Sequence, residues 1–297
     1  MSSSPAPLIS VVIPTRHRNH ALAECLRRLA PGVQTLAPDR YEVIVTDDGT
    51  ISTAKAMVRD QFPWARWIAG PQKGAGSNRN HGVQQAIGPW IAFVDDDCLP
   101  ATTWLQGYVA AIAPAVELYS GKTTCHDKEH PQTPICSGPY NLDGSRVYSC
   151  NLLVSTKLHL KIGGFDPDFP HWNEDVDFIE RLRRNGHSPL FVPAALIHHP
   201  PRRRHLGTAA GKQWKSRVML SYKQGNSTPA WRWLPGHLIK VRIRQIIDCQ
   251  PSVDSLIAVI TFPAELFYVL THIRKWDQAY KIYLPEIGSN EPPPPEE

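Results

Sequence analysis

The stretch Gly88-Pro-Trp-Ile-Ala-Phe-Val-Asp95-Asp96-Asp97 limits the fold more than any other. Five apolar residues, Trp90 to Val94, run straight into three carboxylates. A short apolar run opened by Gly-Pro reads as a strand buried on both faces. Such strands belong to parallel sheets covered by helices, and ligands bind beyond the C-terminal ends of those strands. Asp95 and Asp97 lie two apart and share a side if the strand continues. Hard oxygen ligands so placed suit a divalent cation, Mg2+ or Mn2+, and a nucleotide. An acidic turn is the competing reading. Asp96 faces the other way and is expected to tolerate change.

The chain around this strand alternates strand and helix. Leu8 to Pro14 is a β-branched run, and residues 21–29 place Leu22, Cys25, Leu26 and Leu29 on one helical face. Tyr41 to Thr46 is a second strand ending in Asp47-Asp48-Gly49, residues 52–60 suit a helix, and 65–68 a third, weaker strand. A loop carrying Gly70, Gly74 and Gly76 leads into a helix with Arg79. Alternation of this kind implies βαβ units and a mainly parallel sheet. Residues 115–150 read as strands and loops closing over the site, 153–160 as a helix, 174–184 as a helix capped by Asn173, and 190–197 as a strand ending in His198-His199.

Several short motifs bear chemistry, each with an ordinary alternative. Asp47-Asp48 could accept from a nucleobase or ribose, although Asp-Gly is also a common turn. The glycine loop before Arg79 could cradle phosphate, but it lacks P-loop and dinucleotide spacing. Glu174 and Asp175 suit a helix N-terminus whatever their function. Yet Asp175, Phe178, Ile179 and Leu182 share the i, i+3, i+4, i+7 spacing, which turns Asp175 inward. An inward carboxylate is costly unless it has a task, and a general base aimed at a sugar hydroxyl is such a task. His198 and His199, ahead of Arg202 to Arg204, suit a metal or an anion. Cys125, His126, His130 and Cys136 lack the spacing of a structural zinc site.

Taken together and in order, these motifs identify a resemblance. Ser10-Val-Val-Ile-Pro-Thr15, Val45-Thr-Asp-Asp-Gly-Thr50, Gly74 with Arg79-Asn80-His-Gly82, Phe93-Val-Asp-Asp-Asp97, Ile162-Gly-Gly-Phe-Asp166 and Glu174-Asp175-Val-Asp177 resemble family 2 of the glycosyltransferases. The resemblance implies a GT-A fold, an α/β Rossmann-like sheet flanked by helices, over residues 1–205; residues 206–297 lie outside it and read as a C-terminal helical extension. It implies transfer of a sugar from a nucleoside-diphosphate sugar to a sugar or lipid-linked acceptor, with inversion, in surface polysaccharide or glycolipid synthesis. Pro14, Thr15, Asp47, Asp48, Arg79, Asp95, Asp96 and Glu174 would line the nucleotide and substrate pocket. Asp48 would contact the base and Asp95 the ribose. Asp97 would ligate Mn2+ or Mg2+ with His199, His198 being the alternative, and Asp175 would be the catalytic base. His81 and Thr50 depart from the commoner pattern, which bears on donor choice. A nucleotidyltransferase would want a glycine loop where this chain has Thr15-Arg-His-Arg-Asn19, and an inactive sugar-nucleotide binding module would not need acids at 95, 97 and 175.

Composition narrows the setting. Net charge is +5 with a pI near 8.9, which suits anion handling but is too modest to imply nucleic acid, and no nucleic-acid motif is present. The scattered cysteines read as reduced thiols of a cytoplasmic protein, and the N-terminus has no export pattern. Residues 206–284, with helical stretches near 209–224, 236–248 and 252–273, mix Trp, Lys and Arg with apolar runs. That suits either a helical cap or peripheral contact with the inner face of a membrane. The Pro/Glu tail from Glu286 is expected to be disordered.

Overall fold

The structure, a computed structural model, describes residues 6–125, 132–249 and 251–284. The expected disorder of the tail and the residues His126 and His130 lie outside them. The chain divides into two units: Met1–Pro131 with Ser137–Arg202, and Gln132–Cys136 with Arg203–Glu297.

The first unit opens with β1 (Ile9–Thr15), α1 (Asn19–Leu29), β2 (Tyr41–Asp47), α2 (Lys55–Gln61), β3 (Arg66–Ala69), α3 (Ala75–Gln84) and β4 (Trp90–Val94). The strands pair in parallel, with Thr15 opposite Asp47 and Ile9 opposite Trp90. Every residue of β1 is buried, as a strand covered on both faces requires. Its alternation assigns the two faces. Val11 and Ile13 pack with Leu22, Leu26 and Val58. Val12 packs on the other side with Phe93, Phe165 and Phe178.

The sheet continues through β5 (Leu99–Pro100), β6 (Leu118–Thr124), β8 (Asn151–Ser155) and β9 (Leu190–His198), in the order β3-β2-β1-β4-β8-β6-β9-β5. Two-residue strands β7 (Cys136–Ser137) and β10 (Arg202–Arg203) lie outside it. Helices α4 (Trp104–Ala111), α5 (Thr156–Lys161) and α6 (Glu174–Arg184) complete the unit. The expected helix over 153–160 holds for 156–160 and fails for its first three residues. Asn151 to Ser155 form a strand antiparallel to β4, and only Thr156 onward is helical, started by the Ser155 hydroxyl accepting from Leu158 N. A short apolar run has no period that separates a buried strand from a buried helix, and the sheet decided. The helix α4 has no counterpart in the sequence reading.

Pro193 sits inside β9, where it has no N–H to give. The pairing with β6 accordingly jumps from Gly121 opposite Val192 to Lys122 opposite Leu196. The carbonyls freed by this bulge are taken by Asn151. Its Nδ2 donates to Lys122 O at 2.9 Å and Ala195 O at 3.1 Å, while its Oδ1 accepts from Trp104 Nε1 and Tyr108 Oη. Gly121 has no room for a Cβ, which would strike Ala195 O and the Asn151 amide.

The second unit carries α7 (Gly207–Lys223), α8 (Ala230–Ile247) and α9 (Val253–Tyr280). Val218, Tyr222, Leu234, Leu238, Val269 and Ile273 form its core. Two buried carboxylates of α9 join the helices: Glu265 accepts from Trp214 Nε1 and Arg242, and Asp277 from Tyr222 Oη and Ala230 N.

Asn151→Ala is expected to destabilise the protein by about 3 kcal/mol or more, because it strands several buried polar groups at once. Thermal and urea unfolding of the variant check this, and an unchanged midpoint would remove Asn151 from its bridging role.

Candidate active site

The C-terminal ends of β1, β2 and β4 lie side by side, so Thr15, Asp48 and Asp95 to Asp97 converge. Beside them is a cleft of about 340 Å3. Pro14, Thr15, Asp48, Arg79, Asp95 and Glu174 line it, together with Arg18, Arg202 and the loop Pro170-His171-Trp172.

The two members of the Asp47-Asp48 pair part company. Asp48 reaches the cleft wall and accepts from Gln72 N at 2.9 Å and Gly74 N at 3.2 Å, ordering the glycine loop. Burial raises its pKa, and those amides oppose the rise. Asp47 is not brought to the cleft. Its carboxylate accepts from Gly49 N, Ala54 N and Trp67 Nε1, so its acceptors serve the turn and the start of α2. Gly74, at φ +93, sits so close to the Pro170 carbonyl that a Cβ there would overlap it. The glycine loop and the loop before α6 are therefore in direct contact.

Arg79 is the central cation. It is buried, donates from Nη2 to Asp95 Oδ1 at 2.6 Å and from Nη1 to Glu174 Oε1 at 3.2 Å, and lies over the Phe165 ring. Burial works against its charge, but Asp95 and Glu174 outweigh it and hold the pKa above the ordinary arginine value. For Asp95 too, burial is opposed by Arg79, and the pKa ends below the usual carboxylate range. Glu174 goes the other way: burial, aided by Asp175, pushes it to about 7 against the pull of Arg79. Asp175 is raised by burial, with Arg79 opposing.

Two expectations at α6 need correction. Asn173 makes no side-chain cap; it turns through the left-handed region at φ 68. Asp175 does not follow Phe178 and Leu182 into the core. Glu174 and Asp177 are the buried acids of the first turn, while Asp175 stays partly open and accepts from Val176 N. Asp175 sits at the edge of the inward face of α6, between buried Glu174 and exposed Val176.

The three consecutive aspartates meet three different arginines. Asp95 takes Arg79. Asp96, expected to tolerate change, is fully buried: it accepts from Thr15 Oγ1 at 2.7 Å and pairs with Arg18 at 2.6 Å. Burial lifts its pKa to about 6 against the pull of Arg18. It faces away from the cleft, but into a network that ties β4 to the end of β1. Asp97 pairs with Arg202 through Oδ2. Its Oδ1 is buried with no hydrogen-bond partner and lies 3.6 Å from His199 Nε2. His199 donates from Nδ1 to Pro200 O at 2.9 Å and turns Nε2 toward Asp97. His198 is elsewhere, beside Thr124 Oγ1. Ligand atoms of Asp97, Cys98 and His199 lie within 4.8 Å of one another. An orphaned carboxylate oxygen facing an imidazole nitrogen fits a divalent cation.

Arg18 was not singled out from sequence, although basic residues directly after a first strand are a signal that could have found it. Arg202 carried the signal of the Arg202 to Arg204 run. Nothing in the sequence pattern pointed to Trp172. Replacing Arg79 by Met should lower stability by about 3–5 kcal/mol, since it leaves Asp95 and Glu174 buried without their cation. Thermal unfolding reads the effect, and Arg79→Lys should recover only part of it.

A sequence model of the Glycosyl transferase family 2 matches residues 10–151. Glycosyltransferase AglE of Haloferax volcanii is 34% identical over 217 residues, covering 67% of this chain and 69% of that protein. Validoxylamine A glucosyltransferase of Streptomyces hygroscopicus subsp. limoneus is 30% identical over 227 residues, 62% of this chain, and the chain spans only about half of that relative's length (50%). Among solved structures, S. aureus TarS 1-349 superposes with a TM-score of 0.57 at 17% identity, covering 92% of this chain and 88% of that one. The mannosyltransferase PcManGT of Pyrobaculum calidifontis, solved with GDP-Man and Mn2+, gives 0.50 at 17% identity, covering 93% and 74%. The structural matches establish the likeness in fold, and the extent and identity of the AglE match establish the lineage: the chain belongs to family 2 of the glycosyltransferases.

Proposed function

We propose that the first unit moves a sugar from a nucleoside-diphosphate sugar to an acceptor hydroxyl, with inversion at the anomeric carbon. The observation that carries this reading is the acid cluster around Arg79, where Asp95, Glu174 and Asp175 meet at the ends of the sheet strands. Pro14, Thr15 and Asp48 form the nucleotide wall, with Asp95 toward the ribose. Arg18 and Arg202 flank the cleft and supply charge for the diphosphate. Asp97 and His199 would hold Mn2+ or Mg2+, which when bound neutralises charge on the departing diphosphate. GDP-Man with Mn2+ in the mannosyltransferase and UDP in TarS support a nucleotide donor.

Asp175 takes the proton from the acceptor hydroxyl. The hydroxyl oxygen bonds to the anomeric carbon as the bond to the diphosphate oxygen breaks, and the diphosphate leaves with that electron pair. Attack from the opposite face inverts the centre. Burial keeps Asp175 more basic than an ordinary aspartate, as a general base requires. Relatives named for chondroitin synthesis, succinoglycan biosynthesis and pre-mycofactocin glycosylation support a sugar-bearing or lipid-linked acceptor in surface polysaccharide or glycolipid synthesis. The reaction would take place in the cytoplasm.

Asp175→Asn should lower kcat by roughly 10²–10⁴-fold with KM for the donor little changed. Retention of full transfer would remove Asp175 as the base. The active form of Asp175 is ionised and its pKa is raised. Activity should therefore be present at neutral pH and be lost as pH falls, with an acid limb above the ordinary aspartate range. A profile of kcat against pH locates that limb, and a limb at or below the free aspartate value would contradict the assignment. Chelation should abolish transfer and Mn2+ should restore it, while Asp97→Asn should require a higher Mn2+ concentration for half-activity. Transfer indifferent to chelation would refute the metal assignment.

A further inference from the structure

The helix α9 is apolar on two faces. One packs Val269, Ile273 and Trp276 into the core of the second unit, where the carboxylates Glu265 and Asp277 are held by Trp214, Arg242, Tyr222 and Ala230. The other faces outward: Leu256, Val259, Ile260, Phe267 and Leu270 are all exposed, Phe267 at 69%. At 3.6 residues per turn these side chains share one stripe, which runs into exposed Arg274. The neighbouring helix repeats the pattern. Ile239, Ile243 and Ile247 stand four apart on α8 along an open groove of about 440 Å3, with Lys240, Arg244 and one acid, Asp248, beside them. Contiguous exposed apolar surface of this kind marks an interaction site.

We propose that α8 and α9 lie in the interfacial layer of an anionic lipid bilayer, with their apolar stripes in the acyl boundary and Lys240, Arg244 and Arg274 at the headgroups. The charge selects the occupant: cations beside a greasy stripe match negative headgroups over a lipid layer. The helix α9 is long enough to span, with mean hydropathy 1.8 in its most apolar window. Spanning would carry Glu265 into hydrocarbon, however, and pull it from the Trp214 and Arg242 side chains that tie α9 to α7 and α8. Lying flat keeps that polar network on the protein side.

The test is flotation of the full chain with vesicles of phosphatidylcholine alone or mixed with phosphatidylglycerol. Binding is expected to the mixed vesicles, to weaken with salt, and to fall about tenfold or more in the double variant Phe267→Glu with Leu270→Glu. Ile243→Glu with Ile247→Glu should act in the same direction, and circular dichroism should show both variants folded. No binding to anionic vesicles, or binding unmoved by both folded variants, overturns the proposal. A dimer in light scattering that these substitutions dissolve, without vesicle binding, overturns it in favour of a second copy. Resistance of membrane-expressed protein to carbonate extraction overturns the interfacial mode in favour of a span.

Discussion

A buried arginine between two carboxylates holds the first unit's chemistry together. Arg79 on α3 reaches Asp95 at the end of β4 and Glu174 at the start of α6. Neither acid could remain ionised in that setting alone, and the guanidinium could not stay buried without them. The pairing forces three elements distant in sequence to meet at the strand ends. Arg79 overcomes burial at Asp95 but not at Glu174 or Asp175, so the first acid is lowered while burial raises the other two. A site that must bind a donor and also accept a proton needs such a division.

The sheet and α6 were legible because burial writes itself into composition. Leu8 to Pro14, Tyr41 to Thr46 and Trp90 to Val94 are apolar where the strands lie, and residues 174–184 carry a helical period that the structure reproduces at both ends. The start of the helix over 153–160 was misplaced, Leu153 to Ser155 being strand, because a short apolar run fits either element until its neighbours are known. At the site, the residue types were legible, but their division of labour was not. Asp47 and Asp48 are chemically identical neighbours, and only the backbone path sends one to the turn and the other to the cleft wall. Asp96 faces away as alternation requires, yet alternation cannot say that Arg18 waits on the far side. Asp175 was misplaced because it sits at the edge of the inward face of α6, between buried Glu174 and exposed Val176, and spacing alone does not separate an edge from a centre.

The second unit shows the complementary failure. Its helices were foreseen, but their orientation was not, because α9 carries acids and apolar residues in a long, strongly apolar helix. Which side faces the protein core is decided by partners on other helices. Trp214 and Tyr222 on α7 and Arg242 on α8 supply them, so Glu265 and Asp277 turn inward beside Val269, Ile273 and Trp276.

The contact between Gly74 and the Pro170 carbonyl has a consequence for anyone reshaping the specificity of this enzyme family. The glycine loop is pinned to Asp48 on one side and abuts the segment that leads into α6 on the other. A graft that exchanges residues 165–173 from a relative without its own residues 70–76 would press a foreign backbone into one with no side chain left to shed. The two loops form a single unit of inheritance, to be transplanted together or left alone.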